Sequence, residues 1–486
     1  MFPCAEPMWK PDEMFGYYTA DEIRAAEAPL LASLPHGTLM RRAAFGLATA
    51  IAGELRARTG AVAGRSVCVV AGSGDNGGDG LWAGAMLRRR AVAVTAILLD
   101  PAHAHSGGLA ALRRAGGRVV DAVPPGTDLV IDGVVGIGGR GALRPAAAAV
   151  FAAVDAAGIP VVSVDIPSGV DVQTGAADGP AVTPVLTVTF GGLKPVHALG
   201  RCGRVVLIDI GLDLPPTDIV GLTAADVKAC WPVPGPHDDK YTGGVTGILA
   251  GSASYPGAAI LCSGAAVAAT SGMVRYAGTA AGDVVSHWPE VVAAPSPAAA
   301  GRVQAWAVGP GLGTGDSSAA TLWFAINTDV PVIVDADALT MLAAHPTLLD
   351  HRTAPTVLTP HAGEYARLAG HPPGADRIGA ARQLAAKFGA TVLLKGNVTV
   401  IADPSGPVYL NPAGNSWAAT AGSGDVLSGI IGALLAAGLP AAKAAAAAAF
   451  VHARAAEASA ADPGPGDVPT SSSRILAHIR TALAQL

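Results

Sequence analysis

The chain has 486 residues, 51% of them apolar but only 5% aromatic, so Ala, Val and Leu supply most of the apolar content. At about 150 residues per domain, this length suggests three domains or two large ones. The 32 basic side chains against 37 acidic ones give a net charge of −5 with no basic block, which excludes a nucleic-acid or anionic-membrane surface as its main business.

The N-terminus, MFPCAEPMWKPDEMF, lacks the apolar core of a signal peptide. Five cysteines, at 4, 68, 202, 230 and 262, form an odd, scattered set without paired spacing. That predicts reduced thiols in a cytoplasmic protein rather than a disulfide frame or a zinc site. The most lipid-like stretch, Gly429 to Val451, is interrupted by Gly438, Pro440 and Lys443, and reads as two buried helices rather than a span.

In the first half, SVCVVA, VAVTAIL, DLVID, PVVSVD and LTVTF read as buried strands, with helices at Gly80–Arg90 and Pro145–Ala157. This alternation predicts a parallel sheet with helices on both faces. A glycine-dense loop, AGSGDNGGDG, joins the first strand to its helix. Its glycines permit close backbone approach, and free N–H groups at a helix start attract phosphate. Carboxylates beside a phosphate site are costly, so Asp75 and Asp79, with Asn76, suggest a cation, a ribose hydroxyl or acid–base work. Asp132 ends the strand VID ahead of the glycine loop Gly136–Gly141, and Asp165 and Ser168 follow VVSV. Three polar loops at strand carboxyl ends converge on the ligand crevice of an open sheet.

The segments AGSGDNGGDG, VIDGVVGIGG, VDIPSGVDVQTG and VTFGGLKP closely resemble the NAD(P)H-hydrate epimerase family, over roughly Tyr18 to Leu222. The resemblance implies a Rossmann-like three-layer sandwich and a potassium ion held by Asn76, Asp132 and Ser168, oxygen donors that suit a hard cation. It also implies that the hydrated dinucleotide contacts Asp75, Asn76, Gly77, Gly78 and Asp79, then Gly136, Ile137, Gly138, Gly139, Arg140, Gly141 and Ala142, and Asp165. Asp165 is the candidate acid–base. Many members carry Asn-Asn where this chain has Asp75-Asn76.

The alternation pauses between Leu212 and Thr242, a stretch crowded with Pro and Gly that marks the domain boundary. The expected domains are 14–222 and 226–486. Strands restart with VTGILA, VQAWAVG, VPVIVDAD, PTVLTP, TVLLKG and VTVIAD, and long helices close the chain from Asp425, Ala441 and Ser472. AGSGD recurs at Ala421–Asp425, immediately before an apolar helix. There the N–H groups of Gly422 to Asp425 are expected to converge on a transferring phosphoryl group, while Asp425 accepts a hydroxyl proton. Neither a Walker A loop nor a kinase HRD pattern occurs.

YPGAAILCSGAA, AVGPGLG, LTPHAGEYARLAG, LLKGNVTVI and the AGSGD segment together resemble the ADP-dependent NAD(P)H-hydrate dehydratase family, a branch of the ribokinase-like α/β fold. The likeness implies that Lys395, Gly396, Asn397, Val398, Thr399 and Gly424 line the adenine nucleotide, ADP with Mg2+. It places Ala258, Gly311, Gly313, His361 and Asp425 against the hydrated dinucleotide, and leaves Trp417 as a bulky departure near the nucleotide wall. The two resemblances imply a fused repair enzyme that epimerises hydrated NADH and NADPH and dehydrates the S form at the expense of ADP. It is expected to act on these small molecules as a cytoplasmic homo-oligomer. The rival is a small-molecule kinase fused to a non-catalytic dinucleotide-binding module.

Overall fold

The computed structural model describes residues 14–139, 141–270 and 272–486. They divide into two compact units, residues 16–217 and residues 218–486 together with 14–15. The division falls after Thr217, so Ile219–Gly221, expected in the first domain, is a strand of the second unit's sheet.

The first unit is built on seven strands in the spatial order Arg118–Val119, Ala93–Leu98, Ser66–Ala71, Leu129–Gly133, Val161–Val164, Leu186–Phe190 and Arg204–Ile208. Every pair is parallel. The strand Ser66–Ala71 feeds both cores: Val67 and Val69 join one apolar cluster with Ala44, Leu47 and Ile51 of the helix Thr38–Thr59. Cys68 and Val70 join another with Phe151 and Val154 of the helix Pro145–Ala156. Burial on both faces is why these strands read as continuous apolar runs. Chain order reverses between Ser66–Ala71 and Leu129–Gly133, and a crevice opens at the carboxyl ends of such a pair.

The helix after the first strand spans Asp75–Arg88, starting five residues before the expected Gly80. Asn76 to Asp79 therefore lie in its first turn rather than in a loop. None of Gly72, Gly74, Gly77 and Gly78 has positive φ. The glycines serve close approach instead: a Cβ at Gly77 would meet Gly72 O at 2.2 Å, and one at Gly72 would meet Val134 O at 2.2 Å.

The second unit carries an eleven-stranded sheet. Its parallel centre runs Thr391–Leu394, Thr356–Leu358, Val332–Val334, Ala305–Val308, Val245–Leu249 and Met273–Ala277. Val398–Ala402 and Val408–Pro412 extend it as an antiparallel pair, and Ile219–Gly221 adds in parallel to the latter. The helices Pro256–Ala269, Ser423–Ala436, Ala441–Ala461 and Ser472–Ala484 share one apolar core. Small residues let them close up: a Cβ at Gly429 would lie 2.2 Å from Cys262 O. The chain breaks between the second and third of these helices at Gly438 (φ +92°) and Pro440. Among the described residues no helix is long and apolar enough to cross a membrane.

Candidate active sites

In the first unit the three expected cation ligands meet at the switch point. Asp132, fully buried, takes hydrogen bonds from Ser168 Oγ (2.6 Å) and Val134 N (3.3 Å) on one oxygen, and from Ser163 Oγ (2.8 Å) and Ser168 N (2.9 Å) on the other. Ser168 Oγ also accepts from Val135 N, 3.0 Å away. Asn76 donates its amide to the carbonyls of Val135 and Val164, at 3.0 and 2.7 Å. Its Oδ1 faces Gly136, where a Cβ would come within 2.4 Å. Burial pushes the Asp132 pKa up despite these hydrogen bonds.

Asp165 sits just past the neighbouring strand in the left-handed region, φ +67°, a conformation that costs a non-glycine residue energy and gathers at functional sites. Its Oδ1 accepts from Lys194 Nζ at 2.6 Å and Thr189 Oγ1 at 2.9 Å. Burial alone would raise its pKa, but the Lys194 ammonium, His197 and the Thr189 hydroxyl together offset that and hold it below the ordinary carboxylate value. His197 Nε2 donates to Asp165 O at 2.8 Å while Nδ1 accepts from Lys194 N at 2.9 Å, so the ring is neutral. Burial and Lys194 lower its pKa to about 4.

Nearby lies a cleft of about 460 Å³ lined by Glu27, Asp75, Asp79, Trp82 and His105 among others. Asp75 and Asp79 thus face a cavity. The described residues of the loop from Gly136 to Ala142 do not line it: Gly139 closes on Val135, Gly141 turns at φ +75°, and Ile137 packs against an apolar cluster. Arg140 lies outside the described residues.

In the second unit the AGSGD turn differs from its twin. Gly422 is in the left-handed region (φ +84°) and the helix begins at Ser423, whereas the first copy enters its helix at Asp75 from an extended Gly74. Of the four N–H groups expected to converge, two are taken: Ser423 N bonds Thr420 O (3.2 Å) and Asp425 N bonds Gly422 O (3.1 Å). Those of Gly422 and Gly424 have no backbone partner among the described residues. Burial and the neighbouring Asp335 push Asp425 up to about 7, against the pull of Lys395.

Lys395 is held rather than solvated. Its Nζ is 2.8 Å from Asp335 Oδ1 and 3.5 Å from Glu364 Oε2. Burial opposes its charge, yet these two carboxylates hold its pKa above the ordinary lysine value. Asp335 also accepts from Ser428 Oγ at 2.7 Å. A Cβ on Gly424 would lie 3.5 Å from Lys395 Nζ and 3.6 Å from Asp335 Oδ2, so these residues form one constellation.

Gly311 (φ +60°) lies against Ala258, where a Cβ would meet the Ala258 Cβ at 2.7 Å. Gly313 N donates to Asp337 Oδ2 at 2.8 Å. His361 is the N-cap of the helix Ala362–Ala369; its Nδ1 accepts from Gly363 N at 2.9 Å, and the ring is exposed. Gly396 and Asn397 turn into the strand Val398–Ala402, and Asn397 Nδ2 donates to Asn415 O at 3.1 Å. Val398 is buried, while Thr399 Oγ1 reaches back to Gly396 O at 3.5 Å. Trp417, expected near the nucleotide wall, packs against the main apolar core.

Sequence reading missed Lys194, Asp335, Asp337 and Glu364. The signals were present: GGLKP was one of the quoted segments, and VDAD puts two carboxylates at a strand's carboxyl end, where ligands bind.

Fold and site together define a fused α/β protein, a doubly wound ligand-binding unit followed by a unit with a phosphoryl-transfer constellation. The family described as the YjeF-related protein N-terminus matches residues 36–196, and that described as NAD(P)H-hydrate dehydratase matches residues 246–478. The chain is 72% identical to the bifunctional NAD(P)H-hydrate repair enzyme Nnr of Mycobacterium leprae, covering 97% of this chain and 99% of that one. It is 74% identical, with the same coverage, to the protein so named in Mycobacterium tuberculosis. A ribokinase-like superfamily protein of Enterococcus faecalis superposes with a TM-score of 0.50 at 23% identity, covering 56% of this chain and 98% of that one, which shows the second unit's fold to be ribokinase-like. The chain belongs to the family of bifunctional NAD(P)H-hydrate repair enzymes.

Proposed function

We propose that the first unit interconverts the R and S epimers of hydrated NADH and NADPH, and that the second dehydrates the S epimer at the expense of ADP. Loss of water needs a better leaving group than hydroxide. As the carbinol oxygen attacks the terminal phosphorus of ADP, Asp425 takes its proton, and AMP departs. The N–H groups of Gly422 and Gly424 and the Lys395 ammonium oppose the charge that develops; phosphate then leaves the carbinol carbon with the C–O electron pair, and the neighbouring ring carbon gives up a proton to solvent to restore the double bond. Ala258, Gly311, Gly313 and His361 border the dinucleotide in this reading, and Lys395 to Thr399 with Gly424 border the nucleotide. Mg2+ bound with the nucleotide would supply countercharge to its phosphates and would need few protein ligands. The excess of Asp335, Asp337, Glu364 and Asp425 over Lys395 suits it.

In the first unit potassium would be held by Asn76, Asp132 and Ser168. The donors are all oxygen, and the buried Asp132 carboxylate has no cationic side chain paired with it among the described residues. A cation would relieve the burial that raises its pKa. Asp165 is the acid–base candidate. The reading places the protein in the cytoplasm, where its free thiols would persist. Its homo-oligomeric state is open to light scattering.

The observation that carries this reading is the constellation of Asp425, poised near pH 7, beside Lys395 and Asp335 at the start of the helix Ser423–Ala436. Mixed hydrate epimers incubated with the protein and ADP should regain reduced-nicotinamide absorbance to completion. A phosphorylated acceptor that keeps its phosphate would establish a kinase instead.

A further inference from the structure

Asp79 stands apart among the acidic groups of the first unit. Its side chain is buried, and its Oδ1 is sealed from solvent without a hydrogen-bond partner among the described residues. A buried polar atom left unmatched costs about 1–3 kcal/mol, so it calls for an explanation. Asp79 nevertheless lines the 460 Å³ cleft. Asp165, paired with Lys194, is held at low pKa. For Asp79, burial and the charges of Asp165, Asp75 and Glu27 all push the other way, well above the ordinary carboxylate value. Arg41 and His105 line the same cleft, and Lys194 is committed to Asp165. Two carboxyl groups driven apart in this way divide the roles of acid and base. A cation cage is the weaker reading: among the described residues no group of three or more His, Cys, Asp or Glu side chains stands in metal-holding geometry.

We propose that Asp79 is the general acid of epimerisation, giving its proton to the carbinol hydroxyl as the carbon–oxygen bond breaks. This rests on the epimerase reading and adds to it the bond that is labilised. Hydration places a hydroxyl on the ring carbon bonded to the nicotinamide nitrogen. The Asp79 proton passes to that hydroxyl oxygen, the C–O electron pair leaves with it as water, and the nitrogen lone pair closes a planar C=N bond. Water then adds to the opposite face, and the C=N pair returns to nitrogen. One proton is released and the carboxylates take it back, so no net proton or electron is consumed. The alternative, cleavage of the carbon–nitrogen bond to a ring-opened aldehyde, needs a base at the hydroxyl and leaves the oxygen on carbon.

The decisive measurement uses the wild-type full chain without ADP, with purified R hydrate in 18O-enriched water and subtraction of the uncatalysed exchange. The initial rate of label entry should equal the rate of inversion. Inversion that outruns label entry overturns the proposal while leaving the epimerase reading intact. No inversion at all overturns the epimerase reading itself. Asp79→Asn keeps a hydrogen-bond donor of the same shape but no transferable proton. Its kcat for epimerisation should fall by about 100- to 10,000-fold with KM little changed. A variant that melts as the wild type does and keeps its kcat also overturns the proposal.

Discussion

Lys194 Nζ lies 2.6 Å from Asp165 Oδ1, and the two side chains are 1% and 8% exposed. An ion pair so fully withdrawn from water holds only while both partners remain. Lys194→Met should cost the first unit about 3–5 kcal/mol, because it strands a carboxylate in the interior. The companion Lys194→Met/Asp165→Leu variant should recover most of that loss and still be inactive as an epimerase. Chemical denaturation of the two variants side by side checks this. Equal stability of the single variant and wild type would show that the pair is not what keeps Asp165 in place.

Asp425→Asn should abolish ADP-dependent dehydration, by about 100- to 10,000-fold, while epimer exchange continues. In the wild type the base must be ionised, so the dehydration rate should climb with pH through about 7, the value to which burial and Asp335 raise this carboxylate. A rate that is flat between pH 5.5 and 8.5 would remove Asp425 from proton transfer.

Asp132→Ala removes the one carboxylate from the proposed potassium site and should weaken epimerisation and erase its response to potassium. The comparison is between potassium and a large organic cation as the chloride salts. If wild type is indifferent to the exchange, Asn76, Asp132 and Ser168 act through the hydrogen bonds they already share.

His452 is buried against Ser423, its Nε2 donating to Ser423 O at 3.0 Å, and burial lowers its pKa to about 4. The unfolded chain protonates this histidine near pH 6.5, whereas the folded one resists. Between those values the unfolded state binds more protons, so stability falls as pH drops from 6.5 towards 4, by on the order of 3 kcal/mol for this group. His452→Gln should flatten that part of the stability profile. An unchanged slope in urea melts at pH 7, 5.5 and 4.5 would assign the acid sensitivity to other groups.

A cut near Ala225, where the sequence places the domain boundary, would remove Ile219–Gly221 from the sheet it extends and Thr223 from the helix it caps. Cutting between Thr217 and Asp218 avoids both losses. We expect the fragment from Asp218 to dehydrate only the S epimer and the other to epimerise without ADP, with mixing restoring use of both epimers. An inert fragment that revives on mixing would mean that the halves depend on one another.

The β-branched runs announce the central strands because both faces of those strands are buried. Edge and very short strands are quieter. Arg204–Ile208, at an edge, is only partly covered, and the three-residue Ile219–Gly221 hides in a Pro-rich stretch whose pairing partner, Val408–Pro412, lies far along the chain. The early start of the helix at Asp75 also escaped reading, since each glycine costs about 1 kcal/mol in a helix interior and three in its first six residues look like a loop. Backbone packed against backbone decided otherwise. The loops bearing Asp132, Asp165 and Asp425 were legible because each ends a strand or opens a helix. Lys194 and Asp335 were not, because each takes its meaning from a partner remote in sequence.

The pentapeptide Ala-Gly-Ser-Gly-Asp appears in both halves, yet Asp75 is the first residue of its helix and Asp425 the third. Two residues along an α-helix amount to about 200° of rotation and about 3 Å of rise. Exchanging the two fragments would not alter one letter of the chain. Superposing them by those letters, however, would align carboxylates that face nearly opposite ways around their own axes, so a matched word here carries spelling without direction.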